Sequence, residues 1–148
     1  MASTHEATTR WEGDLLTGKG TISTKSGVLR DARASWHERL EGAGAEGQTS
    51  PEELLAAAHA SCFSMALASG LAKAGATVRR LDVSARVSFG PAPAGGNAVL
   101  ESALRVSADA PGVDGAKLHE LAEDAKVNCP ISKALAGNVK ISLEVASG

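Results

Sequence analysis

One long helix limits what this chain can fold into more than any other feature of its sequence. The segment from Leu54 to Ala74 is rich in alanine and leucine, which are strong helix formers. Ser50 is a good N-cap residue, Pro51 suits the first helical position, and Glu53 completes an S-x-x-E capping box. Gly75 is a natural C-terminal stop. The predicted helix is apolar on most sides, so we expect it to be buried on most sides.

The size of the chain favours one domain that spans residues 1–148. A domain of about 150 residues hides roughly 68–70% of its unfolded surface, so a real core is possible. Aromatic residues make up only 3% of the chain and tyrosine is absent. The core must therefore depend on alanine, valine and leucine, and a large subunit interface would supply the missing buried area.

Charge and hydropathy argue against two classes of partner. The formal net charge is −2, so nothing electrostatic favours nucleic acid or an anionic membrane. We expect no membrane helix, because such a helix needs ~20 apolar residues and we expect no apolar run of that length. Met1–Arg10 is polar and lacks the apolar core of a signal peptide. We therefore expect a cytoplasmic protein that binds neither nucleic acid nor membrane.

The other elements are short, and they alternate between strand and helix patterns. Strands or extended segments are expected at Thr8–Gly13, Lys19–Lys25, Val28–Leu40, Val78–Phe89, Val99–Ala108 and Val139–Val145, with a glycine-rich loop at Gly42–Gln48. In the fifth of these, Leu100, Ser102, Leu104 and Val106 are expected to share one face. Asp114 can cap a helix that runs to Asn128, and Pro130 begins a short helical turn. This order predicts the α+β class with mainly antiparallel pairing.

The chain has two cysteines, Cys62 and Cys129. A structural disulfide is not expected in a reducing cytosol, and two distant cysteines do not form a zinc-finger pattern. The remaining interpretations are inert buried thiols and a redox pair. Composition alone favours inert thiols, since free cysteine is among the most buried residue types.

The surroundings of each cysteine leave its chemistry open. Burial among small apolar neighbours would raise the pKa of Cys62, which needs a nearby positive charge or donors to act as a nucleophile. His59 shares a helix face with Cys62, so a Cys–His hydrolase or acyl transferase is one alternative. We favour a packed His59 with an ordinary hydrogen bond. Cys129 precedes Pro130 at the start of a helical turn, where a thiolate can gain some stabilisation.

Three stretches resemble the osmotically inducible protein C (OsmC) family. The opening runs WEGD, GKGT and SGVL, which begin at Trp11, Gly18 and Ser26, resemble the start of that family. The run TSPEELLAAAHASCFSMAL from Thr49 resembles its core helix, and NCPISKAL from Asn128 resembles its second cysteine motif. The similarity covers essentially the whole chain. The histidine before the first cysteine is more similar to the OsmC branch than to the sister branch of organic hydroperoxide resistance (Ohr) proteins.

The resemblance implies an OsmC-like fold, with antiparallel sheets around a long central helix, and an intertwined homodimer. It implies a peroxidase with no metal or prosthetic group. Carried over by position, the site residues are Cys62, Cys129, Arg39 and Glu52. Taken alone, Arg39 has the ordinary explanation of a solvated cation, and Glu52 that of a carboxylate at a helix N-terminus.

The expected chemistry has two steps. Cys62 attacks the peroxide and becomes a sulfenic acid, helped by Arg39, which Glu52 holds in a bidentate pose. Cys129 then condenses with the sulfenic acid to a disulfide, which an external thiol or dithiol must reduce. In the family, lipoylated proteins or small thiols do this. Apolar neighbours of Cys62 favour bulky organic hydroperoxides over hydrogen peroxide; they are Ala58, Phe63, Met65 and Ala66.

The spacing of two site residues predicts a site shared between chains. Glu52 lies ten residues before Cys62, which is roughly 15 Å along a helix axis and about 80° around it. A glutamate side chain does not bridge that distance, so Arg39 and Glu52 of one subunit are expected beside Cys62 of the other. A helix that bends or breaks near Ala57, so that the contact is made within one chain, is the alternative. For the function as a whole, a non-enzymatic module that binds a lipid-like ligand is the second alternative to a peroxidase.

Overall fold

The computed structural model describes residues 1–41 and 47–146. Within them the chain forms six strands and four helices, which are β1 (Ala7–Glu12), β2 (Lys19–Thr24), β3 (Ala32–Ala34), α1 (Trp36–Glu41), α2 (Pro51–Lys73), β4 (Arg80–Pro91), β5 (Asn97–Asp109), α3 (Gly115–Asn128), α4 (Pro130–Leu135) and β6 (Lys140–Val145). These elements belong to two compact units, Met1–Leu54 and Leu55–Gly148. A single domain for the whole chain stays a prediction.

The first unit is built on an antiparallel sheet in the order β1-β2-β3. Strands β1 and β2 match their predicted positions to within one residue, and Trp11 pairs with Gly20 across them. Glycine is required at position 18, because a Cβ atom there would lie 2.2 Å from the carbonyl oxygen of Asp14. The tight turn between β1 and β2 therefore depends on this glycine.

The prediction of an extended segment from Val28 to Leu40 is wrong for most of its length. Strand β3 is only three residues long, and α1 follows it. Ser35 begins this helix, since its hydroxyl accepts from the N–H of Glu38 at 3.2 Å and its carbonyl accepts from the N–H of Arg39 at 3.2 Å. Ser35 and Glu38 form an S-x-x-E pattern, the same signal that marks the start of α2. Residues 42–46 of the predicted loop Gly42–Gln48 lie outside the described residues.

Helix α2 begins and ends where the sequence predicts. The hydroxyl of Ser50 accepts from the N–H of Glu53 at 3.1 Å, while the carboxylate of Glu53 accepts from the hydroxyl of Thr49. After Lys73 the chain turns at Gly75, which has a φ of +84°. The helix is continuous from Pro51 to Lys73, so a break near Ala57 is excluded.

The apolar run of α2 is longer than expected, and less of the helix is buried within this single chain than expected. By length and composition the helix is long and apolar enough to cross a membrane, although the core helix of a soluble protein passes the same test. It is also not buried on most sides within this chain. Only 22% of its 18-residue apolar window is buried, and Met65 is 65% exposed. The buried positions instead form a single stripe along the helix, which includes His59, Phe63, Leu67 and Leu71.

The sheet of the second unit has the order β4-β5-β6. Strands β4 and β5 pair antiparallel, while β5 and β6 pair parallel. The parallel pair is possible because α3 and α4 carry the chain back to the starting edge of the sheet. Mainly antiparallel pairing is confirmed, since the other three strand pairs are antiparallel.

One residue on β5 departs from the predicted alternation. The register with β4 shifts between Ser88 and Phe89, which leaves Leu100 as the extra residue of a bulge. Leu100 is therefore 38% exposed, whereas Ser102, Leu104 and Val106 are buried as expected.

The core of the second unit lies between α2, α3 and β5. Phe63, Leu67 and Leu71 from the buried stripe of α2 pack with two β5 residues, Leu104 and Val106. Helix α3 adds Ala122 and Ala125, and Cys129 closes the same cluster. Asp114 caps α3 as predicted, accepting from the N–H of Lys117 at 2.7 Å.

We expect Leu104→Ala to lower the free energy of unfolding by about 2–5 kcal/mol, because it opens a cavity in this core. Leu100→Ala is the matched control: it has the same chemistry on the same strand, but the residue is partly exposed. Urea unfolding of both variants measures the difference. Equal losses of stability would contradict the placement of the bulge.

Candidate functional site

The two cysteines, which are 67 positions apart in the sequence, lie in contact in the second unit. Cys62 is half-buried on α2, Cys129 is fully buried at the start of α4, and both are free thiols. The two sulfurs are close enough for each thiol to shift the pKa of the other. The backbone N–H of Ile131 lies near both and acts to lower the pKa of each thiol. The packing of α2 against α3 produces this contact, because each cysteine adjoins the core cluster.

The pKa values of the two thiols are shifted in opposite directions. Burial raises the pKa of Cys62, and its hydrogen bond to Cys129 raises it further. Burial also acts to raise the pKa of Cys129, but hydrogen bonds from Cys62 and Ser132 outweigh burial and lower it. The pair therefore loses its first proton readily and holds its second proton firmly. In the described residues no cation is among the groups that shift the pKa of Cys62.

His59 lies on the same helix face as Cys62, but its ring is bound elsewhere. Its Nδ1 lies 2.7 Å from the hydroxyl of Ser102 on β5, and its Nε2 lies 2.8 Å from the hydroxyl of Ser132 on α4. The ring is fully buried, and burial lowers its pKa. Both nitrogens are thus occupied by serines, which argues against a Cys62–His59 hydrolase or transferase. The interpretation of His59 as a packed residue is the better one.

The predicted Arg39–Glu52 pair is formed in the first unit. Nε of Arg39 lies 3.2 Å from each carboxylate oxygen of Glu52, and Nη2 lies 2.8 Å from Oε1. The Arg39 guanidinium also stacks 5.7 Å from the centre of the Trp36 ring. Glu52 is buried and Arg39 is half-buried. Arg39 stands on α1 rather than on the extended segment expected for it.

The structure thus brings the four predicted residues together as two pairs, one pair in each unit. Sequence reasoning missed the roles of Trp36, Ser102 and Ser132. The position of Ser132 could have indicated its role, because it follows Cys129 by three residues and such residues are neighbours on a helix. Ser102 could have been noticed as a polar residue on the otherwise apolar face of β5.

The apolar residues expected around Cys62 differ in their accessibility. Phe63 is 0% exposed and belongs to the core, so it does not line a substrate path. Met65 and Ala58 are exposed, and Ala66 is half-buried. In the part of the chain that is described, no group of three or more His, Cys, Asp or Glu residues could hold a metal ion.

Comparison with known proteins settles the family. Residues 43–144 match the OsmC-like protein family. The chain belongs to the OsmC-like family. It is 41% identical to peroxiredoxin OsmC of Escherichia coli strain K12 over 137 residues, which cover 93% of each chain.

The Ohr branch of the family is also similar. The organic hydroperoxide resistance protein of Xanthomonas axonopodis pv. citri is 36% identical over 135 residues, which cover 87% of this chain and 88% of the relative. The crystal structure of the organic hydroperoxide resistance protein OhrB of Bacillus subtilis superposes with a TM-score of 0.78. It is 30% identical and covers 97% of this chain and 98% of that one. The predicted OsmC-like α+β fold is thereby confirmed.

We expect the two thiol pKa values of this OsmC-like protein to differ more in the wild-type protein than between its two single-cysteine variants. The hydrogen bond between them favours the first ionisation, and the resulting charge opposes the second. The single-cysteine variants Cys62→Ala and Cys129→Ala should therefore have pKa values that lie between the two steps of the wild-type protein. Thiolate absorbance in the ultraviolet, followed against pH, measures all four values. A wild-type curve equal to the sum of the two single-cysteine curves would contradict the contact.

Proposed function

We propose that this protein is a thiol-dependent peroxidase that reduces organic hydroperoxides, and hydrogen peroxide more weakly. The observation that carries the proposal is the direct contact between Cys62 and Cys129. Two free thiols that adjoin one another in this way are placed to form a disulfide. The names of the relatives, peroxiredoxin OsmC and organic hydroperoxide resistance protein, support the same activity.

The proposed cycle needs no electron source other than thiols. The thiolate of Cys62 attacks the outer peroxide oxygen, so that an S–O bond forms and the O–O bond breaks. The alkoxide leaves and takes a proton from solvent to become the alcohol. Cys129 then attacks the sulfenic acid, and the disulfide forms as water leaves. An external thiol or dithiol, such as the lipoyl group of a lipoylated protein, takes the disulfide back to two thiols by exchange.

Arg39, held by Glu52, is proposed to lower the pKa of the Cys62 thiol. Burial and Cys129 both raise the pKa of the Cys62 thiol, so the nucleophile needs a positive charge nearby. The Arg39 guanidinium, held along one edge by Glu52 and stacked on Trp36, is a rigid source of that charge. It also stabilises the negative charge that develops on the leaving oxygen.

We further propose that the protein is a homodimer in which each site uses both chains. Glu52 and Cys62 lie on one continuous helix, and ten residues of helix span about 15 Å. The exposed side of α2, with Met65 65% exposed, gives a partner an apolar surface to cover. The pair Arg39–Glu52 of one subunit would then face Cys62 of the other.

The proposal extends to the location of the protein and to its partners. The protein is proposed to act in the cytoplasm, without a metal, a prosthetic group, nucleic acid or a membrane. A net charge of −2 gives no attraction to nucleic acid. Apolar contacts of α2 with a second subunit, rather than with lipid, account for the composition of that helix.

A peroxide assay with purified protein and dithiothreitol tests the activity and its substrate class. We expect consumption of both cumene hydroperoxide and hydrogen peroxide, with a higher kcat/KM for the organic one, because Ala58, Met65 and Ala66 near Cys62 are apolar. Cys62→Ser should abolish turnover. Cys129→Ser should allow one reaction per site and then accumulate sulfenic or sulfinic acid at Cys62, visible by intact mass.

Other results would point elsewhere. A Cys129→Ser variant that is inactive from the first turnover, beside an active Cys62→Ser variant, would reverse the two roles. Ester burst kinetics that survive the loss of Cys129 would favour a hydrolase. Tight binding of a lipid-like ligand without turnover would favour a binding module.

Subunit mixing tests the shared site. Cys62→Ser and Arg39→Ala chains are each expected to be inactive, and activity should return after they exchange. A mixed dimer contains one site with both Cys62 and Arg39 intact. The matched control mixes Cys62→Ser with Cys129→Ser, which should recover nothing, because the two cysteines of a pair come from the same chain. Demonstrated exchange of Cys62→Ser and Arg39→Ala chains without recovery would exclude the shared site.

A further inference from the structure

His59 is a fully enclosed polar side chain close to the cysteine pair. It is 0% exposed, and its two ring nitrogens bind the hydroxyls of Ser102 and Ser132, which are 0% and 2% exposed. The three residues stand on α2, β5 and α4. Because buried polar groups are costly without partners, the hydrogen bonds among these three side chains satisfy groups that bulk solvent barely touches.

Ser132 connects this line to the chemistry. It lies in the first turn of α4, three residues after Cys129, and it is close enough to that sulfur to lower the pKa of the Cys129 thiol. The same hydroxyl is 2.8 Å from Nε2 of His59. Ser102, His59 and Ser132 therefore form a hydrogen-bonded line that ends beside Cys129, which in turn adjoins Cys62.

The Ser132 hydroxyl has only one proton to donate, and this fixes which atoms of His59 and Ser102 donate and which accept. When Cys129 is a thiolate, Ser132 must donate to it, because a thiolate only accepts. The hydroxyl oxygen then accepts from His59, which must carry its proton on Nε2. Nδ1 is left to accept from Ser102. One tautomer of a neutral ring thus satisfies every group in the line.

We propose that His59 is a positioning residue for the second step of the cycle. Its Nε2–H directs the Ser132 hydroxyl at Cys129, which holds the Cys129 thiolate ready to attack the sulfenic acid of Cys62. This role depends on the proposed peroxidase function and adds residues to it.

The step balances without a proton from His59. The Cys129 thiolate attacks the Cys62 sulfur, so that the S–S bond forms and the S–O bond breaks. Hydroxide leaves and takes a proton from solvent, which reaches the half-buried Cys62. The sulfenic sulfur is reduced and the thiolate sulfur is oxidised. A buried neutral ring whose nitrogens are both occupied orients the donor and does not itself change charge.

Ser132→Ala tests the proposal, with Ser142→Ala as its matched control. Ser142 is a partly buried serine on β6 in the same unit, and its hydroxyl donates to Glu101 instead. In single turnover with cumene hydroperoxide, we expect Ser132→Ala to slow disulfide formation by about tenfold, because Cys129 loses the donor that stabilises its thiolate and holds it in position. Ser132→Ala should consume the first equivalent of peroxide at the wild-type rate. Ser142→Ala should match the wild-type protein in both peroxide consumption and disulfide formation.

A second pair of measurements separates positioning from a merely structural role. In the Cys62→Ser background, Ser132→Ala should raise the pH at which Cys129 forms its thiolate, and Ser142→Ala should not. His59→Gln, which can place an N–H near the position of Nε2, should form the disulfide faster than His59→Leu. Circular dichroism establishes that each variant is folded.

The outcomes that overturn the inference differ from those that overturn the function. Disulfide formation at the wild-type rate in Ser132→Ala, or an unchanged Cys129 titration, would exclude the role of His59 and leave the peroxidase intact. A wild-type protein that consumes peroxide without a Cys62–Cys129 disulfide would instead overturn the proposed cycle, and the role of His59 with it.

Discussion

The packing of one stripe of α2 against β5 and α3 is the contact on which the rest of the second unit depends. Phe63, Leu67 and Leu71 repeat every four residues, so they form one line along the helix and meet Leu104 of β5 and Ala122 of α3. Cys62 stands one position from that line, at the edge of the core, and remains half-buried. Because α3 ends at Asn128, the same packing delivers Cys129 to the other side of the thiol contact. Large aromatic residues are scarce, and a helix of small residues lets the neighbouring elements approach closely enough for that contact.

The first unit presents its own constraint in the ion pair of Arg39 and Glu52. Taking a carboxylate out of water costs several kcal/mol, and a bidentate partner roughly offsets that cost. Such a pair is weak evidence for stability. Its geometry, with three N–H···O contacts and the Trp36 ring beneath, fixes the direction of the guanidinium. A half-buried thiol such as Cys62 needs a cation in order to ionise, and this need is the basis of the role proposed for the pair.

Local signals in the sequence predicted the local parts of the structure. Ser50 and Asp114 mark the starts of α2 and α3, and the two cysteine motifs identify the pair that the fold brings together. Helix α1 was missed although Ser35 and Glu38 carry the same capping signal, because the segment before them alternates like a strand. The bulge at Leu100 depends on register with β4, which no pattern within β5 specifies. The partners of His59 lie 43 and 73 positions away, so only the folded chain places them.

The unequal burial of the two sulfurs decides how the oxidised protein can be restored. Cys129 is 0% exposed, whereas Cys62 is half-buried. In the proposed cycle, an incoming thiol would therefore meet the Cys62 side of the disulfide, and Cys129 would depart as the leaving group. Exchange is faster when the departing thiol is the more acidic one, and hydrogen bonds from Ser132 make Cys129 the more acidic of the two. The same enclosure that keeps Cys129 away from peroxide thus gives the reduction a direction, with the mixed disulfide forming at the outer sulfur.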